Sequence, residues 1–182
     1  MLSVTTRQVY LKELGFYKGE VDGIWGTLSE AATLALQKRY FPEREWDGKY
    51  GTKTDILLQS AYNCRGLRYF KLEEFRCPCG KCTGYPAVVS RTLAVKLDTI
   101  IRPKYGSTTI ISGLRCNSYN AKVGGVAKSK HKQGKAVDFQ CAESRKGSAN
   151  RTAIIKYCKT TAKFRYSYGN TAGMGRSVHV EV

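Results

Sequence analysis

Apolar residues follow two rhythms along this chain. In the first sixty residues they recur at helical spacing: Val4, Tyr10, Leu11 and Leu14 make one stripe, Ala31, Ala32, Ala35 and Leu36 a second, and Ile56, Leu57 and Ala61 begin a third. Further on the period shortens to two. Val137, Phe139 and Cys141 alternate with Ala136, Asp138 and Gln140, and Val178, Val180 and Val182 alternate with His179 and Glu181. On the first of these strands the apolar face is expected to be buried and Asp138 to point the other way; on the second, His179 and Glu181 share a face. The elements predicted after residue 70 are helices over 88–101, 118–123 and 149–162 and strands over 108–113, 136–141 and 177–182. This is an α+β chain: a small three-helix N-terminal domain, residues 1–63, then a helix-plus-antiparallel-sheet domain, residues 70–182.

The N-terminal part contains an internal repeat. Asp22-Gly23-Ile24-Trp25-Gly26-Thr27-x-x-Glu30 recurs as Asp47-Gly48-Lys49-Tyr50-Gly51-Thr52-x-x-Asp55. In each copy a glycine-rich turn leads into Thr-x-x-acid, which predicts a helix start whose threonine side chain satisfies an orphan amide. Trp25 and Tyr50 hold equivalent positions, as core aromatics or as ligand-facing ones.

Charge separates the two parts. Residues 1–63 carry eight basic and eight acidic side chains, whereas residues 64–182 carry 23 and 6, so the second part accounts for the whole net charge of +17. Such a field gathers polyanions. No nucleic-acid-binding motif is visible, so nucleic acid is not the expected partner, and anionic polymers of another kind suit the charge equally well. The first 14 residues lack a basic segment followed by a continuous apolar stretch, and no apolar run approaches a membrane span. A cytoplasmic product without signal peptide or membrane anchor is expected, acting as a monomer.

Only two histidines occur, and each lies close in sequence to a carboxylate. A catalytic zinc takes three protein ligands, commonly two histidines and one carboxylate, and keeps a position open for water. His131, Asp138 and His179 supply that set, with Gly124, Gly125 and Gly134 shaping the loop that connects the first two.

These residues also carry a family resemblance. Ser112-Gly113-Leu114-Arg115, Tyr119-Asn120-Ala121-Lys122-Val123-Gly124-Gly125, Ser129-x-His131-x-x-Gly134-x-Ala136-x-Asp138 and His179-Val180-Glu181 together resemble the zinc D-Ala-D-Ala carboxypeptidases of the lysostaphin-like peptidoglycan peptidases. The resemblance implies that His131, Asp138 and His179 hold zinc, which activates water to attack a peptide bond such as D-Ala-D-Ala or L-Ala-D-Glu, and that Arg115 meets the substrate carbonyl or carboxylate. Leu114 stands where an aromatic is frequent and Glu181 where Asp is usual. The repeat, with Gln8, Leu11, Leu14-Gly15-Phe16-Tyr17 and Gln37, resembles a peptidoglycan-binding domain type 1. The combination is phage endolysin-like, and a lysin released through a holin pore fits a wall-acting enzyme made without a signal. Peptidoglycan is then the partner, with anionic wall polymers a second.

The general base is less plain. Relatives often carry an acid three residues before the last histidine, where this chain has Arg176, which cannot accept a proton. Of the six acids after residue 63, Glu181 shares a strand face with His179 and is the candidate, as base or as the partner that orients His179. The missing acid also motivates a rival reading, a non-catalytic wall-binding or metal-binding protein of the same fold. Cys77-Pro-Cys79-Gly-Lys-Cys82 has spacing for a structural zinc completed by Cys116 or Cys64. The resemblance adds a disulfide to Cys116 as an alternative, and reduced buried thiols are a third; Cys141 and Cys158 are expected in the core.

Overall fold

The computed structural model describes residues 1–182. Three helices, α1 (Val4–Glu13), α2 (Thr27–Tyr40) and α3 (Thr52–Asn63), form the N-terminal part and bury Leu11, Leu36, Leu57 and Leu58. The repeat maps onto one hydrogen-bond pattern used twice. Gln8 Nε2 donates to Asp22 Oδ1 (2.8 Å) and the Ile24 carbonyl (2.9 Å) while its Oε1 accepts from Gly23 N (2.8 Å). Gln37 does the same with Asp47 Oδ1 (2.9 Å), the Lys49 carbonyl (3.1 Å) and Gly48 N (2.8 Å). Each glutamine is buried, so each turn is fastened to the helix before it. Trp25 and Tyr50 meet edge to face at 5.2 Å with Arg7 over both rings, which joins the two copies. The expected threonine caps are absent. Gly26 and Gly51 are the N-caps of α2 and α3, and no side chain bonds either helix start.

The rest of the chain comprises α4 (Arg91–Lys96), a π-helical turn (Leu97–Ile101), α5 (Arg102–Tyr105), β1 (Thr108–Ser112), α6 (Asn117–Lys122), a 3-10 turn (Lys130–Gln133), β2 (Ala136–Cys141), α7 (Ala142–Lys146), α8 (Ser148–Thr160), β3 (Tyr166–Gly169) and β4 (Val178–Glu181). The strands form one antiparallel sheet of order β1-β2-β4-β3. Its apolar face buries Val137, Phe139, Val178 and Val180, and α8, which contributes Ile154 and Cys158, packs on β3 and β4. The helix expected over 88–101 starts later and runs on through the π turn, which carries the buried Asp98. That carboxylate accepts from Arg68 N, Tyr69 N and Phe70 N at 2.7–3.1 Å and so fixes the segment joining the two parts.

The apolar core is continuous across residues 63–70. One cluster of 29 buried residues runs from Leu11 to Val180. Tyr85 packs on Tyr40 and Phe41, Ser60 Oγ accepts from Val89 N (3.1 Å), and Asn63 Nδ2 donates to the Val89 carbonyl (2.9 Å). Arg39 pairs with Glu73, and Arg44 donates to the Lys81 carbonyl (3.0 Å). No helix is long and apolar enough to cross a membrane.

Candidate metal centre

The second face of the sheet carries the chemistry. Register places Ser112, Asp138, His179 and Tyr168 in one row across β1, β2, β4 and β3. Because side chains alternate along a strand, all four stand on the same face, with Glu181 and Tyr166 one step along it. A bulge between Ile110 and Ser112 corrects the register of β1 and turns Ile111 out to the surface. His131 enters from the 3-10 turn. Asp138 does point away from the apolar core, yet it is itself buried, because His131, His179 and Arg115 cover it.

Three ligand atoms converge. His131 Nε2 lies 3.3 Å from His179 Nδ1 and 3.3 Å from Asp138 Oδ1, and His179 Nδ1 lies 2.8 Å from Asp138 Oδ1. A tetrahedral zinc with bonds of ~2.0–2.1 Å sets its ligand atoms about 3.3 Å apart. Protonation states lead to the same fit. His131 Nδ1 donates to the Gly113 carbonyl (2.7 Å), so the neutral ring offers only a lone pair at Nε2. The far nitrogen of His179, Nε2, faces Glu181 Oε2 at 3.5 Å. A neutral His179 with its proton on Nε2 satisfies Glu181 and leaves three acceptors facing one another. With the proton on Nδ1, a lone pair faces the Glu181 carboxylate instead. A zinc ion among the three atoms would accept all three lone pairs at this spacing, so the residues fit it. Burial by itself would raise the Asp138 carboxyl, but the contacts with His131 and His179 outweigh it and hold the group well below the usual carboxylate range.

Two glycines set this geometry. Gly134 ends the 3-10 turn in the left-handed region (φ 68°), and a Cβ there would overlap the Val88 carbonyl oxygen. Gly113 lies against the Phe75 carbonyl oxygen, which a Cβ would approach to 2.5 Å, and the next amide, Leu114 N, bonds that same oxygen (2.8 Å). The carbonyl that orients His131 is therefore itself fixed.

Arg115 and Tyr168 complete the surroundings. The Arg115 guanidinium pairs with Asp138 Oδ2, and its Nε donates to Ser112 Oγ (2.8 Å), so two of its five N–H groups are engaged in holding the site. Tyr168 packs on His179 at a tilt of 33°, with ring centroids 4.5 Å apart. Burial raises its phenol, the Asp138 carboxylate raises it further, and Arg115 opposes them, so the hydroxyl stays protonated at neutral pH. Sequence reasoning missed Tyr168 together with its strand; the Tyr-Ser-Tyr alternation over residues 166–168 was the available signal. The row opens into a cleft of about 800 Å³, rimmed by Val126, Lys128, Lys130 and Tyr166, where Asp138 and Glu181 are the only acids.

The comparisons with known proteins fall on the same two parts of the chain. A peptidoglycan binding domain model matches residues 2–55, which contain both copies of the repeat. No curated protein matches the chain. The model described as Peptidase M15 matches residues 68–181, well over half of the chain and all four strands of the sheet, and the chain belongs to that peptidase family.

Proposed function

We propose that the protein is a zinc-dependent peptidoglycan peptidase, endolysin-like in its action on the bacterial wall, which cleaves a peptide bond in the stem peptide or cross-link, D-Ala-D-Ala or L-Ala-D-Glu among them. The observation that carries this reading is the convergence of His131 Nε2, Asp138 Oδ1 and His179 Nδ1 at the floor of an open cleft. These atoms would hold the metal, which when bound supplies Lewis-acid activation of water and of the scissile carbonyl.

The chain's own residues would do the rest. Arg115 pairs with Asp138 and keeps it aimed at the site, and its remaining N–H groups offer donors to a substrate carbonyl or carboxylate. Tyr168, protonated, adds a hydroxyl donor at the developing oxyanion. Glu181, the one carboxylate of the cleft besides Asp138, would accept the proton from the attacking water. A second role for Glu181 is favoured by its 3.5 Å approach to His179 Nε2, which would orient that ring. Lys128 and Lys130 at the rim suit the carboxylates of stem peptides, and the basic field of residues 64–182 suits anionic wall polymers. Residues 1–63 would bring the enzyme to the wall.

Turnover of purified wall tests this directly. The full chain should release soluble muropeptides, lose that activity to a chelator and regain it with added zinc. Sedimentation with the wall without release of any muropeptide would instead establish the non-catalytic binding protein.

A further inference from the structure

The M15 chemistry makes no use of four cysteines that the fold gathers at one place. Cys77, Cys79 and Cys82 come from the loop after the 3-10 turn Leu72–Phe75, and Cys116 is the N-cap of α6, 34 residues further along the chain. Their four Sγ atoms all lie within 4.8 Å of one another, and no disulfide joins any pair. A tetrahedral zinc with bonds of ~2.3 Å to sulfur sets its ligands about 3.8 Å apart. Cys64, the other candidate for a fourth position, lies instead in the apolar core.

Every one of these sulfurs accepts a backbone N–H. Lys81 N and Cys82 N approach Cys79 Sγ at 3.4 and 3.3 Å, Gly84 N approaches Cys82 Sγ at 3.3 Å, Cys116 N approaches Cys77 Sγ at 3.4 Å, and Tyr119 N approaches Cys116 Sγ at 3.5 Å. Amides aimed at sulfur stabilise thiolate, the form that binds metal. The four thiolates around a divalent ion would leave a net charge of −2, and Arg76, Lys81 and Arg115 neighbour them in sequence while Arg44 reaches across from the N-terminal part to the Gly80, Lys81 and Cys82 carbonyls.

We propose that Cys77, Cys79, Cys82 and Cys116 bind a second zinc, a structural one, which ties the loop at residues 77–82 to the segment that carries Arg115. Four protein ligands close the coordination sphere, so this site has no open position for water. Its place in the fold gives it a purpose. Leu114 N bonds the carbonyl of Phe75, just before that loop, and Cys116 N bonds Cys77 Sγ within it, so Arg115 sits between two anchors. The ion would thus fix the backbone of the residue that pairs with Asp138, and through Arg44 would fasten residues 1–63 to the same loop.

Metal content of the purified full chain tests this independently of wall cleavage. Elemental analysis should find two zinc ions per chain, one in His131→Ala and one in the double variant Cys79→Ser/Cys82→Ser. Because the cysteine variant can fail to fold, two readouts avoid it. His131→Ala loaded with cobalt(II) should show a thiolate-to-cobalt charge-transfer absorption, and four of the seven thiols of the native chain should react only after chelation. A single zinc that disappears entirely in His131→Ala, a cobalt spectrum without the thiolate band, or a disulfide among these four cysteines found by peptide mapping would overturn the proposal.

Discussion

Replacing His131 by alanine is expected to remove the catalytic zinc and lower wall-cleaving turnover by about 10³-fold or more. The magnitude follows from what is lost: a metal contributes several kcal/mol of transition-state stabilisation, and each ~1.4 kcal/mol is a factor of ten. His131 is the informative ligand to remove, because it stands on a 3-10 turn instead of a sheet strand, so its loss leaves the pairing of Asp138 with His179 intact. Stability should fall as well, because the ring is buried, its loss orphans the Gly113 carbonyl, and bound zinc no longer stabilises the fold. An unchanged circular dichroism spectrum below the lowered thermal midpoint, together with the metal content and turnover, checks this. Retained turnover would show that the three converging atoms are not the reactive centre.

How far the sequence reveals this arrangement depends on the range of the interactions. The strands of residues 136–141 and 178–181 are legible because one face is strictly apolar, and a period of two then fixes which residues share the other. The motif residues His131, Asp138 and His179 can be picked out because the chain has two histidines only. β3 is not legible: it has four residues, with positive φ at Lys163 three residues before it and at Asn170 immediately after it, and its place in the sheet comes from pairing with β4. Tyr168 goes unseen with it. The threonine caps fail for a different reason. Thr27 and Thr52 are the first helical residues, so glycine takes the cap position and the turns are held by Gln8 and Gln37, respectively 14 and 10 residues before the aspartates they bind. That Cys116 and not Cys64 joins Cys77, Cys79 and Cys82, and that the core runs through Tyr40, Phe41 and Tyr85, are tertiary facts that no local pattern encodes.

Glu181→Gln is expected to lower turnover by about 10²-fold while zinc content and fold remain as in the unaltered chain. A positioned general base contributes on that order, and an amide of the same shape cannot take up the proton. Glu181 is set apart by position: Glu73, Glu74, Asp98 and Glu143 lie outside the cleft, and Asp98 is committed to three backbone amides. The side chain faces two ways, with Oε2 toward His179 Nε2 and part of its surface open to the cleft. Steady-state kinetics with elemental analysis separates the roles. A fall in turnover accompanied by loss of zinc would assign Glu181 to orienting His179, and a fall of less than about tenfold would exclude it as the base.

Anomalous scattering at the zinc absorption edge, recorded from crystals of the full chain grown with zinc, is the most direct measurement of the central claim. The account predicts a peak among His131 Nε2, Asp138 Oδ1 and His179 Nδ1, about 2.0–2.2 Å from each, with a further position open to the cleft. The absence of a peak among these three atoms, in crystals that show the same sheet register, would contradict it.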